Sequence, residues 1–225
     1  MPGRSHSVET IGSDHSGSVP ARPATSPDTA CGPGGGPPHH EKGIVLKTPT
    51  FTELGVLPAT VAGLEAVGIT QPFPIQALTL PVALHGHDII GQAKTGTGKT
   101  LGFGIPLLQR VVTPGEDHAD PTLPPPVADK PQALVVVPTR ELCVQVTSDL
   151  EKAAAKRDVR ILSIYGGRAY EPQVETLRKG VEVVVGTPGR LIDLAQQGHL
   201  DLRHVRTLVL DEADEMLDLG FLPDV

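Results

Sequence analysis

No stretch of this sequence approaches the ~20 consecutive apolar residues that span a bilayer, and its opening, MPGRSHSVET, has no apolar segment of the kind a secretory leader carries. A soluble protein is expected. Cysteine is scarce. Cys31 and Cys143 lie far apart and outside any CxxC pair, which excludes a disulfide framework and a cysteine-based zinc site and fits a reducing cytoplasm. A surplus of positive charge is also lacking. With a formal net charge of -7, any contact with nucleic acid has to come from a local cluster of Arg and Lys.

What the chain has is apolar material, 39% of 225 residues, sufficient for one core and too little length for a second complete domain. Residues 1–47 are rich in Gly, Pro and Ser, include the run CGPGGGPPHH from Cys31 to His40, and are expected to form a disordered tail. His39 and His40 within it lack the fixed geometry and further ligands of a metal site. A domain over 48–225 follows. From Phe51 onward, short apolar runs alternate with helical stretches, which implies parallel strands joined by crossover helices and an α/β fold. The expected strands are 88–92, 133–137, 160–165, 181–186 and 207–211. The segment 113–131, crowded with proline and acidic residues, reads as an exposed loop.

Ala93 to Thr100 reads AKTGTGKT, directly after the strand-like HDIIGQ and before an apolar stretch, which is the strand, loop, helix context of a phosphate-binding loop. Ala93, Lys94, Thr95, Gly96, Thr97, Gly98, Lys99 and Thr100 are therefore candidate nucleotide contacts. Gly96 and Gly98 let backbone N–H groups turn toward phosphate oxygens, and the helix N-terminus behind them adds a favourable dipole. Lys99 reaches the β and γ phosphates, and the Thr100 hydroxyl is placed to ligate Mg²⁺. Beyond it, Gly102, Gly104 and Pro106 predict a helix that bends or breaks after about two turns.

Thr207 to Asp211 (TLVLD) reads as a buried strand that delivers Asp211, Glu212 and Asp214 to the C-terminal edge of the sheet, where α/β folds bind ligands. Asp211 beside the Mg²⁺ site and Glu212 as the group that orients and deprotonates a water make ATP hydrolysis the implied chemistry, with Lys99, Asp211 and Glu212 as the catalytic candidates.

The run VLDEADEMLDLGF, Val209 to Phe221, resembles the second motif of the DEAD-box ATP-dependent RNA helicases almost residue for residue. Gly68 to Gln76 (GITQPFPIQ) resembles that family's Q motif, an element spanning 49–77 here, and Phe51 stands where the family places an isolated aromatic. The resemblance implies that Phe51 and Gln76 serve the adenine, with the Gln76 amide pairing its edge and favouring ATP over GTP. Ile69 departs from the pattern, which usually has an aromatic there. PTREL from Pro138, the pair Gly166 and Gly167, and TPGR from Thr187 resemble three RNA-contacting motifs in family order. They imply that Pro138, Thr139, Arg140, Gly166, Gly167, Thr187, Pro188, Gly189 and Arg190 meet the sugar-phosphate backbone of single-stranded RNA.

The implied architecture is a P-loop NTPase domain of RecA-like type, incomplete at its C-terminus, with ATP and Mg²⁺ as cofactors and Asp214 as a residue of interdomain coupling. The Ser-Ala-Thr motif and the second domain of the family do not occur before Val225. Slight turnover by the chain itself is therefore expected, as is an empty strand position between the phosphate-loop strand and the acidic-motif strand, giving marginal stability. The parent activity implied is ATP-dependent RNA unwinding. A short ATP- or RNA-binding module without hydrolysis, and a DNA translocase, are the alternative readings.

Overall fold

The computed structural model describes residues 9–11, 48–94, 96–113, 125–221 and 223–225, and the statements below concern these. In chain order the elements are β1 (Glu9–Ile11), α1 (Pro58–Ala66), α2 (Pro74–Leu84), β2 (Ile89–Gly91), α3 (Lys99–Arg110), β3 (Ala133–Val136) and α4 (Arg140–Ala154). Then follow β4 (Ile161–Ile164), α5 (Tyr170–Lys179), β5 (Val183–Gly186), α6 (Pro188–Gln196), β6 (Thr207–Leu210) and α7 (Ala213–Asp218). Five of the six strands lie within the segments expected from the sequence.

Strands β4-β5-β3-β6 form one parallel sheet in that order, with Ala133 opposite Val183 on one side and Thr207 on the other. Every residue of β3 and β5 is buried, so these central strands read as unbroken apolar runs rather than as alternating ones. The period-2 pleat still sorts their side chains. Ala133, Val135, Val183 and Val185 join one cluster with Phe51, Leu64, Leu80, Ile105 and Leu150. Leu134, Val136 and Val184 join a second cluster with Ile164, Val174, Leu191, Leu194 and Met216. Burial of each of these large side chains contributes about 1.5–3 kcal/mol.

Two expectations need correction. The tail was expected to be disordered throughout 1–47, yet Glu9–Ile11 forms a strand that pairs in parallel with β2, Thr10 opposite Ile90. The reason is β2 itself: its backbone N–H and C=O groups require partners, and among the described residues β2 and β6 are not paired with each other. The rest of the tail lies outside the described residues, as does 114–124 of the expected loop. Ile90 on β2 and Leu208 and Leu210 on β6 are exposed at 58%, 58% and 41%.

Of the bend or break expected at Pro106, the break does not occur. Helix α3 runs unbroken from Lys99 to Arg110. A proline there forfeits one backbone hydrogen bond and crowds the carbonyl four residues back. That position is Gly102, itself buried, while Ile105, Leu107 and Leu108 are fully buried around the proline and offset the loss.

Cys143 illustrates how tightly the first cluster closes. Its thiol donates to the Val185 carbonyl at 3.3 Å, and burial pushes its pKa up to about 11 from 9.0. That shift lowers the reactive thiolate about 100-fold at a given pH. A thiol reagent should therefore modify Cys143 slowly in the native chain and readily after denaturation; rapid native modification of Cys143 would contradict this packing.

Candidate functional site

All four strands of the main sheet are parallel, so the loops at their C-terminal ends gather on one edge. Val136 hands the chain to Pro138 and α4, Gly186 hands it to Thr187 and α6, and Leu210 hands it to Asp211 and α7. The Asp211 N–H donates to the Val136 carbonyl at 3.0 Å, which carries the β3–β6 ladder one residue into the acidic motif.

The phosphate loop reaches this edge from β2. Gly96 and Gly98 have φ of +82° and +83°, the left-handed region that favours glycine. Gly98 is constrained a second way, because a Cβ there would lie 2.5 Å from Gln76 Nε2 and 2.7 Å from the Phe73 ring. Helix α3 begins at the next residue, so Lys99 and Thr100 occupy its first turn. Thr95 lies outside the described residues. Ala93 and Thr97 are half-buried, and Lys94 is exposed.

Lys99 Nζ donates to Glu212 Oε1 at 2.7 Å, which joins the phosphate loop to the acidic motif across 113 positions of sequence. Glu212 has φ of +50°, and a non-glycine residue held in the left-handed region costs on the order of 1 kcal/mol or more, a strain typical of functional sites. Asp211 is 8% exposed. Its burial, and next the charge of Glu212, raise its pKa, while Lys99 acts in the opposite direction. With the folded value above the unfolded one, Asp211 adds stability below the ordinary carboxylate range and loses it as pH rises through the folded pKa. A cation beside the carboxylate would remove that opposition. One buried carboxylate, with the Thr100 hydroxyl next to Lys99 in the first turn of α3, suits Mg²⁺, which takes few protein ligands and completes its shell with water and phosphate. Asp214 is exposed in the first turn of α7.

Two residues assigned to adenine sit differently from what the resemblance implies. Phe51 is 2% exposed and belongs to the core cluster, so its ring has no open face. Ile69 packs against the same cluster. Gln76 is fully buried; its Oε1 accepts from the Phe73 N–H at 2.9 Å and its Nε2 donates to the Gly98 carbonyl at 2.8 Å. One N–H and one lone pair of that amide remain beyond these bonds. Gln76 thus fastens the Q-motif segment onto the phosphate loop.

The second group of candidates forms a groove of about 660 Å³. All of the RNA-contact candidates line it except Gly167 and Pro188. Thr139 caps α4, its hydroxyl accepting from the Leu142 N–H at 3.3 Å, and Pro188 starts α6, so two helix N-termini bring partial positive charge to this edge. Gly167, at φ +77°, lies against the Arg140 guanidinium, where a Cβ would come within 2.8 Å of Nη1. Glu141, Asp193 and Phe221 also line the groove. The motif readings gave none of them an RNA-contact role, although Glu141 stands within PTREL and Phe221 closes VLDEADEMLDLGF. Two arginines lie over the buried Tyr165 ring, Arg140 at 5.5 Å and Arg168 at 5.1 Å, and Arg190 lies 5.3 Å from the Tyr170 ring. No local sequence signal marks that convergence, since the partners come from separate elements.

A family model described as DEAD/DEAH box helicase matches residues 73–225. The DEAD-box ATP-dependent RNA helicase CshA of Geobacillus kaustophilus is 47% identical over 176 residues, covering 78% of this chain and 35% of that protein. Its namesake from Streptococcus pneumoniae is 45% identical over 175 residues, covering 78% of this chain and 31% of that protein. Among solved structures, a DEAD box protein from the hyperthermophile Methanococcus jannaschii superposes with a TM-score of 0.67 at 36% identity, covering 78% of this chain and 44% of that one. The chain spans about a third of the length of the curated relatives it matches.

Proposed function

The chain belongs to the DEAD/DEAH box helicase family, and from that premise we propose that it is the ATP-binding part of an ATP-dependent RNA helicase, with residues 48–225 as its nucleotide- and RNA-binding unit. The observation that carries this reading is the 2.7 Å ion pair between Lys99 and Glu212. It brings the phosphate loop and the acidic motif to within one side chain of each other on the edge that also bears the arginine-lined groove.

The two partners of that pair are interlocked. Lys99 must leave Glu212 to reach the β and γ phosphates of ATP, and its departure frees the Glu212 carboxylate to accept a proton from the attacking water. Thr100 and Asp211 would hold Mg²⁺, which when bound neutralises charge on the phosphates. Gln76, anchored on Gly98, sets the position of the loop, and its remaining N–H and lone pair would pair an adenine edge once nucleotide binding opens the amide, buried in the free chain. Thr139, Arg140, Thr187 and Arg190 would meet RNA phosphates along the groove. Asp214, exposed at the end of the acidic motif, is the residue for coupling to a second domain. No helix among the described residues is long and apolar enough to cross a membrane, and a reducing cytoplasm suits the buried thiol of Cys143.

The reading is tested by binding the full chain to a labelled single-stranded RNA together with a non-hydrolysable ATP analogue. Backbone-dominated contact predicts similar affinity for oligouridylate and oligoadenylate, and a steep loss as salt rises. A strong preference for one sequence that persists at high salt, or equal binding of DNA and RNA throughout, would sink it.

A further inference from the structure

We infer that Arg168 is a phosphate-binding residue for single-stranded RNA, acting with Arg140 across the ring of Tyr165 to extend the groove by one backbone contact. This deepens the RNA reading given above and rests on it. Arg168 lies outside every motif that the sequence singled out: it follows Gly166 and Gly167 in the turn between β4 and α5, and it is exposed.

Three arginines converge at this mouth, and their charges are not equally occupied. Arg190 is largely spent on the protein. Its side chain is 15% exposed, its Nε lies 4.0 Å from the Asp193 carboxylate, and its guanidinium donates to the Arg168 carbonyl at 3.5 Å. Arg190 therefore ties down the backbone that carries Arg168. Arg140 and Arg168 differ. Among the described residues neither has a carboxylate within ion-pair distance, and both guanidinium groups lie within 5.5 Å of the centre of the Tyr165 ring. The ring is fixed, since Tyr165 is 4% exposed and belongs to the core cluster.

Two like charges gathered on one ring repel each other, and the cation–π attraction offsets only part of that. An anion drawn to either guanidinium offsets that repulsion and gains a charge-assisted hydrogen bond. The backbone phosphate of a strand lying along the groove supplies that anion, at a spacing set by the Arg140 end of the groove. The chain's net charge of -7 makes the locality of this cluster the deciding feature.

The experiment measures affinity of the full chain for labelled oligouridylate over a range of potassium chloride concentrations, for the parent, Arg168→Ala and Arg168→Lys. Loss of one phosphate contact lowers the slope of log affinity against log salt by about 0.7 for a single strand, and weakens binding roughly threefold to tenfold at low salt. Arg168→Lys keeps the charge and should retain the parent slope. Equal thermal unfolding midpoints for the three proteins establish that the fold is intact. A parent that binds RNA while Arg168→Ala shows its slope and affinity would overturn the role of Arg168 alone; a parent that binds no RNA would overturn the RNA reading as well. An unchanged slope with altered discrimination between oligouridylate and oligoadenylate would assign Arg168 to a base, and would also overturn the inference.

Discussion

Replacing Lys99 with alanine is expected to weaken nucleotide binding by at least about 100-fold, and to do so for ATP and GTP alike, because it removes charge-assisted contacts to two phosphates at roughly 1.5–3 kcal/mol each. A second effect points the same way. The Glu212 carboxylate, now held by Lys99 at 2.7 Å, would be left facing the phosphates beside Asp211 with no cation between. The fold should survive, since both side chains reach solvent, with 22% and 25% of their surface exposed, so water can hydrate the Glu212 carboxylate left behind. Titration with a fluorescent nucleotide and a parallel denaturant melt separate the two. A loss of less than about threefold in nucleotide affinity would remove Lys99 from the phosphate site. Gln76→Ala supplies the contrast. It should weaken ATP more than GTP, and it should also destabilise the protein by about 1–3 kcal/mol, because the Phe73 N–H and the Gly98 carbonyl lose their partner.

The largest loss of stability is expected at Gly186→Val. Gly186 closes β5, its carbonyl accepting from the Val137 N–H at 3.0 Å, and a Cβ there would lie 2.8 Å from the Ile164 carbonyl oxygen and 2.7 Å from Leu191 Cδ2. The leucine can turn aside. The carbonyl cannot, because it belongs to the β4–β5 ladder and accepts from the Thr187 N–H at 3.0 Å. Relief requires the two strands to separate, at a cost of about 3 kcal/mol, the upper end of typical overpacking penalties or beyond. Since Thr187 and Arg190 follow directly, RNA affinity should fall with stability. Gly189→Ala is the control, because nothing lies within 4 Å of a Cβ at that position, and its stability should stay within about 0.5 kcal/mol of the parent. A Gly186→Val melt indistinguishable from the parent would show that the β4, β5 and α6 packing described here is wrong.

Where the sequence could be read, it was read through local spacing. The apolar runs of β3 and β5, the strand before AKTGTGKT and the strand before Asp211 each declare themselves within a few residues, and their ends fall close to where the structure places them. Partners are another matter. Nothing in Glu9–Ile11 distinguishes it from the rest of a Gly- and Pro-rich tail, because the cause of its pairing is the unsatisfied backbone of β2, some eighty residues away. Pro106 looks like a helix breaker until the burial of Ile105, Leu107 and Leu108 around it is known. Gln76 reads as an adenine ligand by resemblance, and only the fold shows that the Gly98 carbonyl already holds its amide. Phe51, alone upstream of its motif, turns out to be packed in the core. The cluster of Arg140 and Arg168 on Tyr165 was invisible for the same reason: it is built from β4, the turn after it and the start of α4, none of which signals the others.

The central claim is that the loop from Ala93 to Thr100, fastened by Gln76 and facing Glu212, is an adenine-selective nucleotide site. Its most direct test is a competition titration of the full chain, in Mg²⁺, in which ATP and GTP displace a fluorescent ATP analogue. The account predicts that ATP displaces the analogue at concentrations well below those GTP requires, and that Lys99→Ala weakens binding of the analogue and of both nucleotides by at least about 100-fold. Equal displacement by ATP and GTP would contradict the assignment of Gln76, and an analogue that binds Lys99→Ala as tightly as the parent would contradict the site itself.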